Sequence, residues 1–228
     1  IAFYTRNRPE YPEGMAAGFK ARLTHVNVNY RYIANELIYL LDNADATVCV
    51  FAAEFADQVS NIRGQLPKVT QWIQIEDGFT GLDDVTSYED YATQGDDSTL
   101  DIKRESTDQL FIYTGGTTGM PKGVMWRHED IFFAALSSAL GAPITSPEEI
   151  SQRSLPVEFA LPSLIIAPLM HGAAQWGMCN MLFAGGPVVL YTGHGFDAHE
   201  IWSIAEREKC MGITLVGDAM GRPLADAL

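Results

Sequence analysis

From Phe111 to Val124 the chain reads Phe-Ile-Tyr-Thr-Gly-Gly-Thr-Thr-Gly-Met-Pro-Lys-Gly-Val, an apolar run that passes directly into glycines, threonines, a proline and a lysine. Few structures accept that junction. The apolar run asks for burial as a strand. The residues behind it ask for a loop in which Gly115, Gly116 and Gly119 turn their backbone N–H groups toward one point with no Cβ in the way. Pro121 fixes its own φ and pushes Met120 toward an extended conformation, so Lys122 leaves the loop in a set direction before Gly123. A helix-like pattern resumes near His128. Strand, loop and helix in that order make a phosphate cradle, with Thr114, Thr117, Thr118 and Lys122 as further donors.

The flanking sequence keeps an α/β rhythm. Pro9 opens an amphipathic run whose small residues predict a helix packed closely on a neighbour, and residues 23–29 alternate as a short strand. Residues 34–41 have helical periodicity, residues 42–46 end it, and residues 47–51 form a buried parallel strand. From 76 to 108 the chain is hydrophilic, with eleven acidic residues against Lys103 and Arg104, and predicts a solvated loop with one short helix near 87–93. His128, Glu129 and Asp130 start an apolar helix over 131–140, with His128 as a capping or packing residue, and 141–156 is an exposed excursion.

A second informative stretch runs from Leu164 to Trp176. A buried strand ends at Pro168, His171 follows, and small residues open a helix that continues to Phe183. A histidine at the carboxyl end of a strand in an α/β sheet sits where ligands bind. Residues 188–191 and 212–216 are further strands, Asp197 caps a helix over 198–209, and Gly217, Asp218 and Ala219 form the turn after the last strand.

Composition narrows the partners. A formal charge of -14, from 29 acidic and 15 basic residues, repels nucleic acid and anionic membranes, so a nucleotide must be held locally. No stretch approaches the roughly 18 to 20 apolar residues of a membrane-spanning helix. Cys49, Cys179 and Cys210 are widely spaced and fit reduced thiols in a cytoplasmic protein, while His194 and His199 miss the spacing of a helical zinc motif. No metal site is expected within the chain. It opens at Ile1, mid-pattern and without a secretory signal, and is expected to be a piece of something longer.

The loop fails as a Walker A motif, because Pro121 precedes the lysine and Gly123 follows it. Residues 113–123 instead resemble the phosphate loop of the adenylate-forming enzymes, Y-T-S-G-T-T-G-x-P-K-G, departing at Gly115, where serine is common. Val26-Asn27-Val28-Asn29-Tyr30-Arg31 resembles the V-N-x-N-Y-R segment upstream in acyl-CoA synthetases and reads as scaffold. Pro168-Leu169-Met170-His171 resembles the family's P-L-x-H-x-x-G motif, although Gly172 directly follows the histidine and Ala174 stands at the usual glycine position.

That resemblance implies the N-terminal domain of an acyl-CoA synthetase, a layered αβαβα arrangement of mainly parallel sheets. Residues 1–127 would form one subdomain and 128–228 part of a second, with the C-terminal domain absent. It implies ATP-dependent activation of a carboxylic acid, expected to be fatty, to an acyl-adenylate and then to a coenzyme A thioester. Thr114, Gly115, Gly116, Thr117, Thr118, Gly119, Lys122 and Gly123 would bind the β- and γ-phosphates; Gly217, Asp218 and Ala219 would line the adenine and acyl pocket. His171 would steer the carboxylate or gate the thiol. Residues 172–184 would wall the acyl pocket, Ala173, Ala174 and Gly177 leaving room and Trp176 and Met178 giving apolar surface. Mg2+ is implied with ligands largely outside this chain, a homodimer is allowed, and the chain alone is expected to be inactive. Two other readings stay open: an aryl-acid or carrier-protein-loading adenylating enzyme, and a nucleotide-binding module without catalysis.

Overall fold

In a computed structural model that describes residues 1–96, 98–116, 119–136, 144–153 and 160–228, the chain forms two units, Ile1–His128 and Glu129–Leu228. The first is built around β1 (Ala2–Tyr4), whose three residues are almost completely buried. Helix α1 (Glu10–Lys20) carries the chain to β2 (His25–Asn27), α2 (Ala34–Asn43) to β3 (Val48–Ala52), and α3 (Ala56–Ile62) to β4 (Gln71–Ile75). β5 (Thr86–Ser87) and α4 (Tyr88–Thr93) precede β6 (Gln109–Gly116) and β7 (Gly119–Arg127). The seven strands lie in the order β5-β4-β3-β1-β2-β6-β7. All neighbours are parallel except β6 and β7.

The expected close approach of the first helix is present. Tyr11, Gly14, Met15 and Gly18 make the buried stripe of α1, and a Cβ on Gly14 would come within 2.5 Å of the Phe3 ring. Helix and strand therefore pack where a side chain would not fit. Residues 76–108 are less purely solvated than their charge suggests. The Asp77 carboxylate is 5% exposed, accepts the Glu54 N–H at 3.0 Å and meets Arg8, and Asp108 pairs with Arg22 at 2.7 Å.

The second unit starts in α5 (His128–Ile131), which passes at Phe132–Leu136 into a π-helical turn; the remainder of the expected apolar helix, 137–140, lies outside the described residues. The expected exposed excursion is corrected in part. Ile144 is buried, and α6 (Glu149–Arg153) forms with the Glu149 carboxylate accepting the Thr145 N–H at 2.9 Å, while 141–143 and 154–156 lie outside the described residues. β8 (Ser163–Ile165), α7 (Gly172–Phe183), β9 (Val188–Leu190), α8 (Ala198–Arg207), β10 (Gly212–Thr214) and α9 (Asp218–Asp226) follow. Their sheet is parallel, in the order β10-β8-β9. Asp197 caps α8 as expected, accepting from the N–H groups of His199 and Glu200 at 3.0 and 3.1 Å.

Candidate active site

The glycine-rich stretch is a β-hairpin, and this corrects the expected strand-loop-helix order. A second strand, β7, occupies 119–127 before the helix at His128 begins. Pro121 and Gly123 disguise it in the sequence. It lies at the end of the sheet, where a proline without an N–H is tolerated.

The ladder pairs Tyr113 with Gly123 and Thr114 with Lys122, then shifts register before Gly116 meets Gly119. Successive residues of a strand face opposite sides. Thr114 and Lys122 therefore share one face and Tyr113 and Gly123 the other. Thr114, Gly115, Gly119 and Lys122 are exposed, while Pro121 is buried. Gly119 has φ +143°, which a residue with a Cβ rarely adopts. Among the described residues no carboxylate pairs with the Lys122 ammonium. Thr117 and Thr118 lie outside the described residues.

On the opposite face the Tyr113 ring is buried. A Cβ on Gly123 would stand 2.9 Å from the Tyr113 ring, so this glycine is required by close approach. The Tyr113 hydroxyl donates to Asn43 Oδ1 at 2.7 Å, at the end of α2. Asn27, placed in a segment read as scaffold, bonds both the N–H and the C=O of Tyr113. A Cβ on Gly115 would lie 3.9 Å from the Tyr32 hydroxyl. The sequence marks none of Asn27, Asn43 and Tyr32 as a site neighbour; the V-N-x-N-Y-R resemblance at 26–31 includes Asn27 and adjoins Tyr32. His128 is a packing residue, with its ring 4.6 Å edge-on to Phe19 and burial holding its pKa below the ordinary value.

In the second unit β8 and β10 are parallel neighbours, so the turns that leave them open on one carboxyl edge. His171 stands there, exposed, in extended conformation as the residue before α7. Gly217, with φ +70°, precedes α9, and Asp218 and Ala219 form its exposed first turn. Two glycines of α7 face close neighbours within the unit. A Cβ on Gly177 would lie 2.8 Å from the Thr214 methyl and one on Gly172 3.2 Å from the Trp176 indole, so both glycines are used for packing. Ala174 and Met178 are buried; Ala173 is exposed.

The AMP-binding enzyme family model matches residues 1–227. The chain belongs to that family. Over its whole length this AMP-binding chain is 40% identical to the medium-chain acyl-CoA ligase Mig of Mycobacterium avium and 39% identical to the 3-oxocholest-4-en-26-oate–CoA ligase of Rhodococcus rhodochrous. It spans 42% of the length of each. Among solved structures, the anthranilate CoA ligase AuaEII in complex with anthranoyl-AMP superposes with a TM-score of 0.79 at 21% identity, over 93% of this chain and 39% of that one. That likeness carries the fold: a mostly parallel α/β arrangement shared with the N-terminal part of adenylate-forming enzymes.

The hairpin thus gathers Thr114, Gly115, Gly116, Gly119, Lys122 and Gly123 in one place. His171, Gly217, Asp218 and Ala219 belong to the carboxyl edge of the other unit's sheet.

Proposed function

We propose that this chain supplies the phosphate-gripping and acid-facing part of an enzyme that activates a carboxylic acid with ATP and passes it to coenzyme A. The observation that carries this is the Thr114–Lys122 cross-strand pair: an exposed hydroxyl and an exposed ammonium side by side on a hairpin whose neighbouring pair is anchored by the buried Tyr113 ring. A carboxylate oxygen attacks the α-phosphorus; the new O–P bond forms as the bond to the bridging oxygen of pyrophosphate breaks, and negative charge gathers on the departing pyrophosphate. Lys122, Thr114 and the hairpin's backbone N–H groups stabilise that charge, with Thr117 and Thr118 in the same role. His171 orients the acid or gates the thiol, and Gly217, Asp218 and Ala219 line the adenylate pocket.

The similarity to ligases named for medium-chain acids and for a cholestenoate supports a fatty or steroid side-chain acid. Free thiols at Cys49, Cys179 and Cys210 support a reducing, cytoplasmic setting. Mg2+ would neutralise further phosphate charge when bound, with its ligands largely outside this chain; among the described residues no three His, Cys, Asp or Glu side chains are grouped to hold a metal ion.

In the protein that carries this chain, Lys122→Ala should slow acid-dependent pyrophosphate release about a hundredfold, the scale for removing one group that meets developing charge. Thioester formation from a preformed acyl-adenylate should fall less. Equal losses in the two half-reactions would remove the clamping role.

A further inference from the structure

β2 pairs with β6 as far as Val26 opposite Phe111, yet β6 continues to Gly116. Beyond that last pair the main chain of Tyr113 would face β2's side with its N–H and C=O unmatched, a costly condition for a residue that is 6% exposed. The Asn27 side chain fills the gap. Its Oδ1 accepts from the Tyr113 N–H at 2.6 Å and its Nδ2 donates to the Tyr113 C=O at 3.1 Å. A primary amide matches a peptide's donor and acceptor at once, and so extends the ladder by one residue after the strand itself has ended. With both Tyr113 groups turned to Asn27, the Tyr113–Gly123 pair belongs to the non-hydrogen-bonded kind, in which side chains approach most closely. That accounts for the ring lying over Gly123. The Tyr113 hydroxyl bond to Asn43 at 2.7 Å fixes the far end of the ring. One residue further along the hairpin stand Thr114 and Lys122, and past them the ladder loses register.

We propose that Asn27 is a positioning residue for the phosphate clamp. Its buried amide fixes the Tyr113 main chain, and Tyr113 and Gly123 in turn set where Thr114 and Lys122 meet the phosphates of ATP. This rests on the clamp assigned above. The side chain touches no substrate, and its effect passes through the hairpin.

The test uses the intact protein that carries this chain and measures two half-reactions: pyrophosphate release as a function of ATP concentration, and thioester formation from a preformed acyl-adenylate. Asn27→Asp keeps the acceptor for the Tyr113 N–H but sets a second oxygen against the Tyr113 carbonyl. It should lower kcat for pyrophosphate release about tenfold to a hundredfold, the scale of an ångström-level misplacement, with transfer from the adenylate at the wild-type rate. Asn27→Leu removes both bonds and should lose more of the first half-reaction. Where it fails to fold, Tyr113→Phe supplies the second variant: it keeps the ring and both main-chain bonds, deletes the bond to Asn43, and should show the same split with a smaller loss. Equal losses in both half-reactions, or wild-type pyrophosphate release in Asn27→Asp beside a slow Lys122→Ala, overturn the inference. Wild-type release in Lys122→Ala itself overturns the clamp, and the role of Asn27 with it.

Discussion

The strands of the two units differ in how completely they are covered. In the first unit the neighbouring strands β3, β1 and β2 have all but one residue buried; in the second the central β8 is buried, while β9 and β10 beside it are partly exposed along their whole length. The candidate site residues follow suit. Those of the hairpin are held from behind by a tyrosine ring, two asparagines and a glycine that admits no side chain, whereas His171 and Gly217 are placed by the strand-to-helix turns they occupy. The same α/β alternation thus presents candidate site residues on a hairpin in one unit and on strand-to-helix turns in the other.

The largest effect should come from the centre of the better-covered sheet. Phe3 is fully buried, lies tilted 5.1 Å from the Tyr11 ring, stacks 5.4 Å from His25, and fills the space that Gly14 leaves open. Phe3→Ala should cost about 3–5 kcal/mol, since transfer and cavity terms add. Val189→Ala in β9 should cost about 1 kcal/mol, because its methyl groups are only partly removed from water. Hydrogen exchange resolved by unit during denaturation measures both. Equal losses would show that burial does not distinguish the two sheets.

A smaller effect, near 2 kcal/mol, should appear on acidification. His25 is fully buried among Phe3, Tyr11 and Phe19, its Nε2 lies 3.2 Å from the Tyr11 hydroxyl, and burial pushes its pKa down to about 3. Above pH 6.5 the imidazole is neutral in both folded and unfolded chains. Below it the unfolded histidine takes a proton that the folded one refuses until about pH 3, so stability is lost as pH falls through that window. Between pH 8 and 5 the wild type should lose about 2 kcal/mol more than His25→Gln, the slope approaching about 1.4 kcal/mol per pH unit below pH 6.5. Parallel stability curves for the two proteins would show that His25 is protonated in the fold.

What could be read from the chain alone follows the same division. Strands such as Val48–Ala52 and Val188–Leu190 announce themselves as apolar runs bounded by turn residues, and helix Glu10–Lys20 by its amphipathic period. β1 is as short as β9 and lacks a turn such as Gly185-Gly186-Pro187 to set it off. β7 looks like loop in the sequence because Pro121 and Gly123 oppose strand propensity, and an edge position forgives them. The smallness of Gly177 was visible, but not whether open space or the Thr214 methyl occupied the place of its side chain. The brace from Asn27 to Tyr113 joins residues 86 apart, and a lone buried asparagine gives no sign of which main chain it will serve.

The smallest predicted effect reverses the comparison. Helix α8 begins with Asp197, whose carboxylate takes two backbone N–H groups at 3.0 and 3.1 Å, whereas α4 in the first unit begins with Ser87, whose hydroxyl accepts one at 3.4 Å. A cap is worth most when its bonds are short and the helix behind it is long, and α8 has ten residues against six in α4. Asp197→Ala should therefore cost about 1 kcal/mol and Ser87→Ala a few tenths, roughly the low end for lost caps. The carboxylate also faces the positive end of the α8 dipole. Asp197→Asn, which keeps an oxygen but not the charge, should recover most of the loss at high salt and less at low salt. If Asp197→Ala is silent while Ser87→Ala is not, the second unit does not depend on its turns and helix ends in the way its exposed strands suggest.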